Sequence, residues 1–255
     1  MKHTFTVTPP ANVTPKEKGI ILSAPGVAKK LSLIMLLLLC LHSMGVVLES
    51  ILGDESRPTR ILVRYFDFNG EENVPAFFSS VNLLAAAGLL YLIYCVSSNR
   101  ELANGKRYWL FLSFIFVFMA IDESVQLHEH IAEFVRPRLT SDLNGLLHWA
   151  WVVPYSVVVI AVAGFFLKWV LSLPPLTRNL FVASGSMFVL GALGLEFVEG
   201  YLYKQYGIDH IYNRVMYTLE EFLEMAAVIL FIYTLLQYLA GLKPSLLLVH
   251  QKGNT

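Results

Sequence analysis

Six mainly apolar stretches divide the chain, each close to the ~20 residues a helix needs to cross a bilayer. They run over about 31–52, 76–98, 108–130, 148–171, 179–200 and 216–240. The connections are short except for Gly53–Pro75. Within it, Pro58–Phe68 alternates arginines with Ile, Leu, Val, Tyr and Phe, the pattern of an amphipathic helix lying in a membrane interface. The pattern predicts an all-α, polytopic membrane protein with six transmembrane helices in one bundle. A polar N-terminal tail over 1–28, a six-span membrane domain over 29–242 and a polar tail over 243–255 complete the organisation. Lys29-Lys30 before Leu31–Val47 imitates a signal peptide, but the run is long for one. No small-x-small cleavage site follows it, so a retained first span is expected.

Composition agrees. The chain is 56% hydrophobic with a mean hydropathy of +0.58, too apolar for a soluble domain of 255 residues. A formal net charge of zero argues against a nucleic-acid partner. Cys40 and Cys95, the only cysteines, fall inside apolar runs and are expected to pack in the core. They lie about 15 Å and about 8 Å from their nearest basic flanks, an offset that disfavours a disulfide. Twelve of the 19 Lys and Arg residues fall in the tails and even-numbered connections, and seven in the odd-numbered ones. That bias predicts both termini in the cytoplasm, with the bacterial inner membrane as the expected location.

Acids change the picture. Charged side chains deep in hydrocarbon cost ~2.5 kcal/mol or more, so they need a partner, water or a metal. In a six-span chain, Glu49, Asp122, Glu123, His128, Glu129, Glu196 and Glu199 end odd spans. Asn82, His148, Glu220, Glu221 and Glu224 begin even ones, so all share one face of the membrane. Depth agrees, since Glu123, Glu196 and Glu224 lie roughly 24, 27 and 28 Å along their helices from the basic residues at the other end. On the third span, Asp122, Gln126 and Glu129 share a stripe and Glu123, Gln126 and His130 an adjacent one.

Crowded carboxylates in a low dielectric cannot all stay ionised without compensation, and protons or metal cations are the natural compensators. Glu-x-x-Glu pairs with an imidazole suit iron, manganese or zinc, as in carboxylate centres of helix bundles. The Glu-x-x-His of ferritin-like bundles is absent, however. Candidate metal ligands are Glu123, His128, Glu196, Glu199, Glu221 and Glu224. Simpler roles compete at several positions. Glu220 and Glu221 read equally as favourable first-turn acids of the sixth helix. Glu129, His130 and Glu133 read as solvated, His42 as a hydrogen-bonded packing residue, and His148 as an interfacial anchor beside Trp149 and Trp151. The run Asp67–Glu72 lacks the full calcium-loop pattern and reads as an acidic turn.

The runs Asp122-Glu123…His128-Glu129 and Leu219-Glu220-Glu221-Phe222-Leu223-Glu224-Met225 resemble those of uncharacterised bacterial multi-pass membrane proteins. The resemblance implies the same six-span bundle and supplies no activity. The leading expectation is a metal-dependent membrane enzyme, an oxidoreductase or hydrolase acting on a lipid-phase or interfacial substrate from the non-cytoplasmic face. A proton- or cation-coupled transporter is the alternative, and a structural or assembly subunit the third.

Overall fold

The computed structural model describes residues 23–53, 55–70, 72–97, 105–207 and 210–242. In chain order the α-helices are α1 (Ala24–Leu52), α2 (Arg57–Phe66), α3 (Val74–Val96), α4 (Lys106–Val125), α5 (Leu127–Val135), α6 (Val152–Ser172), α7 (Pro175–Val189), α8 (Glu196–Tyr206) and α9 (Ile211–Leu242). A π-helical turn, Leu190–Leu195, joins α7 to α8. Six helices are long and apolar enough to cross a membrane: α1, α3, α4, α6, the continuous helix Pro175–Tyr206, and α9. There is no strand among the described residues.

Local chemistry sets the helix starts. Ser23 Oγ accepts from Gly26 N–H at 3.2 Å, Ser56 Oγ from Thr59 N–H at 3.3 Å, and Asn73 Oδ1 from Ala76 N–H at 3.2 Å. Each cap stands two residues before a proline (Pro25, Pro58 and Pro75), whose missing N–H costs nothing in a first turn. The first helix therefore opens at Ala24, and residues 24–28 of the expected tail are helical. The rest of that tail and the C-terminal tail from residue 243 lie outside the described residues.

Helix α9 is the hub. Half of its most apolar window is buried, against 11% for α6, which lies at the periphery. The two ends of the bundle differ in chemistry. At the end where α1 begins and α9 ends, the buried Trp109 indole meets Trp169 edge-on at 4.7 Å and Tyr238 at 4.8 Å, while Phe181 meets Phe231 at 4.7 Å. These rings come from the starts of α4 and α7 and the ends of α6 and α9, as antiparallel alternation requires. At the opposite end the contacts are polar, for example Ser80 Oγ of α3 donating to the Ala120 carbonyl of α4 at 2.9 Å.

Two expectations fail. Cys40 and Cys95 are free thiols on the exposed outer surface of the bundle, because a lipid-facing position is as apolar as a core one. The third span is not continuous through His130. Gln126 adopts the left-handed conformation (φ 55°, ψ 43°), ending α4 and starting α5, which breaks both stripes of side chains.

Beyond α5 the chain makes an excursion before α6. It turns tightly at Leu143-Asn144-Gly145, all at positive φ. A Cβ on Gly145 would lie 2.5 Å from the Gly200 carbonyl oxygen, so the turn rests directly on the α8 backbone. Lys204 Nζ fastens it, donating to both carboxylate oxygens of Asp142 at 2.8 and 2.7 Å.

Candidate metal centre

The fifth span carries the centre. Its helix widens at Leu190–Leu195, and Glu196 and Glu199 follow on the first turn of α8. Such π-turns occur often at functional sites. Gly191, in the widened turn, faces α9: a Cβ there would stand 3.0 Å from Glu224 Cγ and 3.1 Å from the Glu220 carbonyl. The bare backbone thus lets α9 approach closely where its acids lie.

Glu196, Glu199 and Glu220 come together as a result. Each offers a carboxylate oxygen, and the three oxygens lie within 4.8 Å of one another. Oxygen ligands of one divalent cation stand within this distance of one another. Glu199 is buried at 4% exposure, while Glu196 and Glu220 are partly buried. Carboxylates this close cannot all stay ionised in a low dielectric unless a cation or a shared proton compensates them.

Further acids surround this group. The charges acting most strongly on Glu220 are those of Glu196, Glu224, Glu199 and Glu221, all acids. Those acting on Glu224 are Glu123 and Glu196, then His128 and Asp122. Glu123, Glu196 and Glu224, from three different spans, therefore share one electrostatic neighbourhood.

The break at Gln126 places His128. Asp122 Oδ1 accepts from the His128 backbone N–H at 2.9 Å and lies 3.5 Å from the imidazole Nδ1. Asp122 Oδ2 accepts from the Tyr155 hydroxyl at 3.0 Å, and the imidazole packs on Trp151 at 5.1 Å. His128 thus lies within electrostatic reach of Glu224, outside the three-oxygen group.

A second polar cluster lies apart from the acids. Thr218 Oγ1 donates to the Arg214 carbonyl at 2.5 Å, so it accepts from His42 Nε2 at 3.0 Å. His42 Nδ1 then accepts the Phe68 N–H at 3.2 Å, with Asp67 Oδ1 3.3 Å from the same nitrogen. His42 is a hydrogen-bonded packing residue joining α1, the α2–α3 turn and α9. Asp67 also accepts from Asn69 N–H at 3.2 Å, as an acidic turn does. Glu49 forms an ion pair with Arg214, which neutralises it and sets it apart from the acid cluster.

The candidate residues are thus sorted. Glu196 and Glu199 belong to the three-oxygen group, and Glu123, His128 and Glu224 border it. Glu220 occupies the place expected for Glu221, which is partly exposed beside it. A first-turn role accounts for Glu220 in the sequence, but α9 starts at Ile211, which puts Glu220 in the third turn and makes that role wrong. Glu129 and His130 are exposed, and the His148 ring packs on Tyr203 of α8 at 4.1 Å.

No curated protein and no solved structure matches the chain significantly. A family model described as Domain of unknown function (DUF8692) matches residues 31–239, a stretch that reaches into all six spans and contains every acid of the cluster. The chain is a member of that family.

Proposed function

We propose that this integral membrane protein binds a divalent metal ion between its fifth and sixth spans and acts on a lipid-phase or interfacial substrate. The observation that supports this reading is the approach of Glu196, Glu199 and Glu220 within 4.8 Å, with further acids around them. An all-oxygen set favours manganese over iron or zinc, which draw more on nitrogen or sulfur donors. His128, whose charge acts on Glu224, supplies a nitrogen donor within electrostatic reach of the acids. A hard divalent cation there supplies Lewis acidity and acidifies a bound water, which suits hydrolysis before redox chemistry.

Proton-coupled transport is the second reading, since carboxylates crowded in a low dielectric can be compensated by protons as well as by a metal. Against it stands the opposite end of the bundle, packed with Trp109, Trp169, Phe181 and Phe231. Elemental analysis of the detergent-purified protein, beside Glu199→Gln and Glu220→Gln, separates the two. Metal binding predicts about one manganese-class ion per wild-type chain, and lower metal content and melting temperature in both variants. A wild type that takes up no metal, with Gln variants melting at least as high, would favour protons.

The charge bias orients the site toward the non-cytoplasmic face. A cysteine at Gly207 is expected to react with an impermeant thiol reagent outside intact cells, and one at Gly105 is not.

A further inference from the structure

Helix α2 takes no part in the acid cluster, and its ten residues fall into three stripes at 100° per residue. Thr59, Leu62, Val63 and Phe66 turn inward. Thr59 is 1% exposed, the others are partly buried, and Leu62 packs over Gly45 of α1, where a Cβ would come within 3.3 Å of it. Arg57, Arg60 and Arg64, spaced by three and four, form an exposed stripe on the opposite side. Ile61 and Tyr65, each 47% exposed, flank that stripe. Arg57 and Arg60 make no ion pair among the described residues.

Depth places this helix. Gly45 lies 15 residues beyond Lys30, about 23 Å along α1. That is some 7 Å short of the far boundary of a ~30 Å hydrocarbon core. A helix seated on Gly45 lies in the boundary layer, where amphipathic helices sink about 5–10 Å.

We propose that α2 is a binding surface for anionic phospholipid, with Arg57, Arg60 and Arg64 holding headgroup phosphates and Ile61 and Tyr65 entering the acyl region. Guanidinium forks match phosphate oxygens two at a time, so the stripe complements that headgroup in geometry and charge. A soluble acidic partner would leave Ile61 and Tyr65 in water. This surface is independent of the metal reading, and its test measures lipid alone.

The test uses the full chain in mild detergent, titrated with phosphatidylglycerol, phosphatidylcholine or inorganic phosphate. Native mass spectrometry counts retained lipid, and melting temperature reports folding. Wild type is expected to retain phosphatidylglycerol over phosphatidylcholine. In R57Q/R60Q/R64Q that preference should fall by up to about fivefold per arginine, while R57K/R60K/R64K, which keeps the charge but loses the two-point fork, should lose less of it. I61S/Y65S should weaken retention of both lipids. If the triple Gln variant does not fold, Arg60→Gln alone carries the same test at a smaller size. An unchanged preference in the Gln variants overturns the proposal. So does stabilisation of wild type by inorganic phosphate as strong as that by the lipid, which would mark a free-anion site.

Discussion

Gly191 and Glu224 meet so closely that a single methyl group on the glycine would stand 3.0 Å from the glutamate Cγ. The acid cluster therefore depends on a backbone without a side chain. Gly191→Ala is expected to push α9 outward by a few tenths of an ångström and to lower stability by about 1–3 kcal/mol, the usual range for overpacking. Gly191→Leu should do more, and should lose bound metal as well. Melting curves and metal content, measured together in detergent, check both.

Tyr155 reaches across from α6 to hold Asp122, which in turn holds His128. Tyr155→Phe keeps the ring and removes only the hydroxyl. It should cost about 1–2 kcal/mol, between the value for a hydrogen bond to a charged group and the smaller values found between membrane helices. If His128 supports the metal through Glu224, metal affinity should also fall. A fall in melting temperature with unchanged metal affinity would confine the trio to a structural role.

His42 supplies the acceptor for the Phe68 N–H, and Phe68 is only 3% exposed. His42→Ala strands that donor and removes the ring stacked on Phe68 at 4.9 Å. A stranded buried donor alone costs about 1–3 kcal/mol. The variant is expected to melt lower and to expose 53–73 to protease, with wild-type metal content. Unchanged protease resistance would contradict the role given to His42.

Acidification should loosen the excursion between the third and fourth spans. Burial, and then the Arg136 charge, hold the His148 imidazole below its ordinary value of about 6.5. The unfolded chain then binds the proton more readily, so this contribution to stability is complete above about pH 6.5 and is lost as pH falls below it. Lys204 likewise holds the Asp142 carboxyl below its ordinary value, an effect that acts in the same direction at lower pH. Protection factors over 142–151, which remove the intrinsic pH dependence of amide exchange, are expected to fall between pH 7.5 and 5.5 in wild type and to stay level in His148→Gln.

The spans and their polar layer were legible because membrane crossing needs ~20 apolar residues and six crossings fix which ends coincide. Glu123, Glu196 and Glu224 stood out because each acid sits in apolar surroundings. The turn that aims Glu196 and Glu199 left no signal beyond Gly191 and Gly194 in an apolar run, since a π-turn is decided by packing against α9. Gln126 was equally silent, since the left-handed conformation is one that non-glycine residues seldom adopt and composition does not mark. Exposed Cys40 and Cys95 have a different cause: hydropathy separates membrane from water but does not separate lipid from protein interior.

The clasp between Asp142 and Lys204 also bears on how the chain is made. The two residues are 62 positions apart, with the fourth and fifth spans between them. At about 5–20 residues per second, Lys204 is synthesised about 3–12 s after Asp142. During that interval the turn at Gly145 has no α8 backbone to rest on, and Trp149 and His148 lack their Tyr203 partner. The excursion therefore settles late, after the fifth span has been inserted. A translational pause before Lys204 would lengthen the time this aromatic segment spends undocked at the membrane surface.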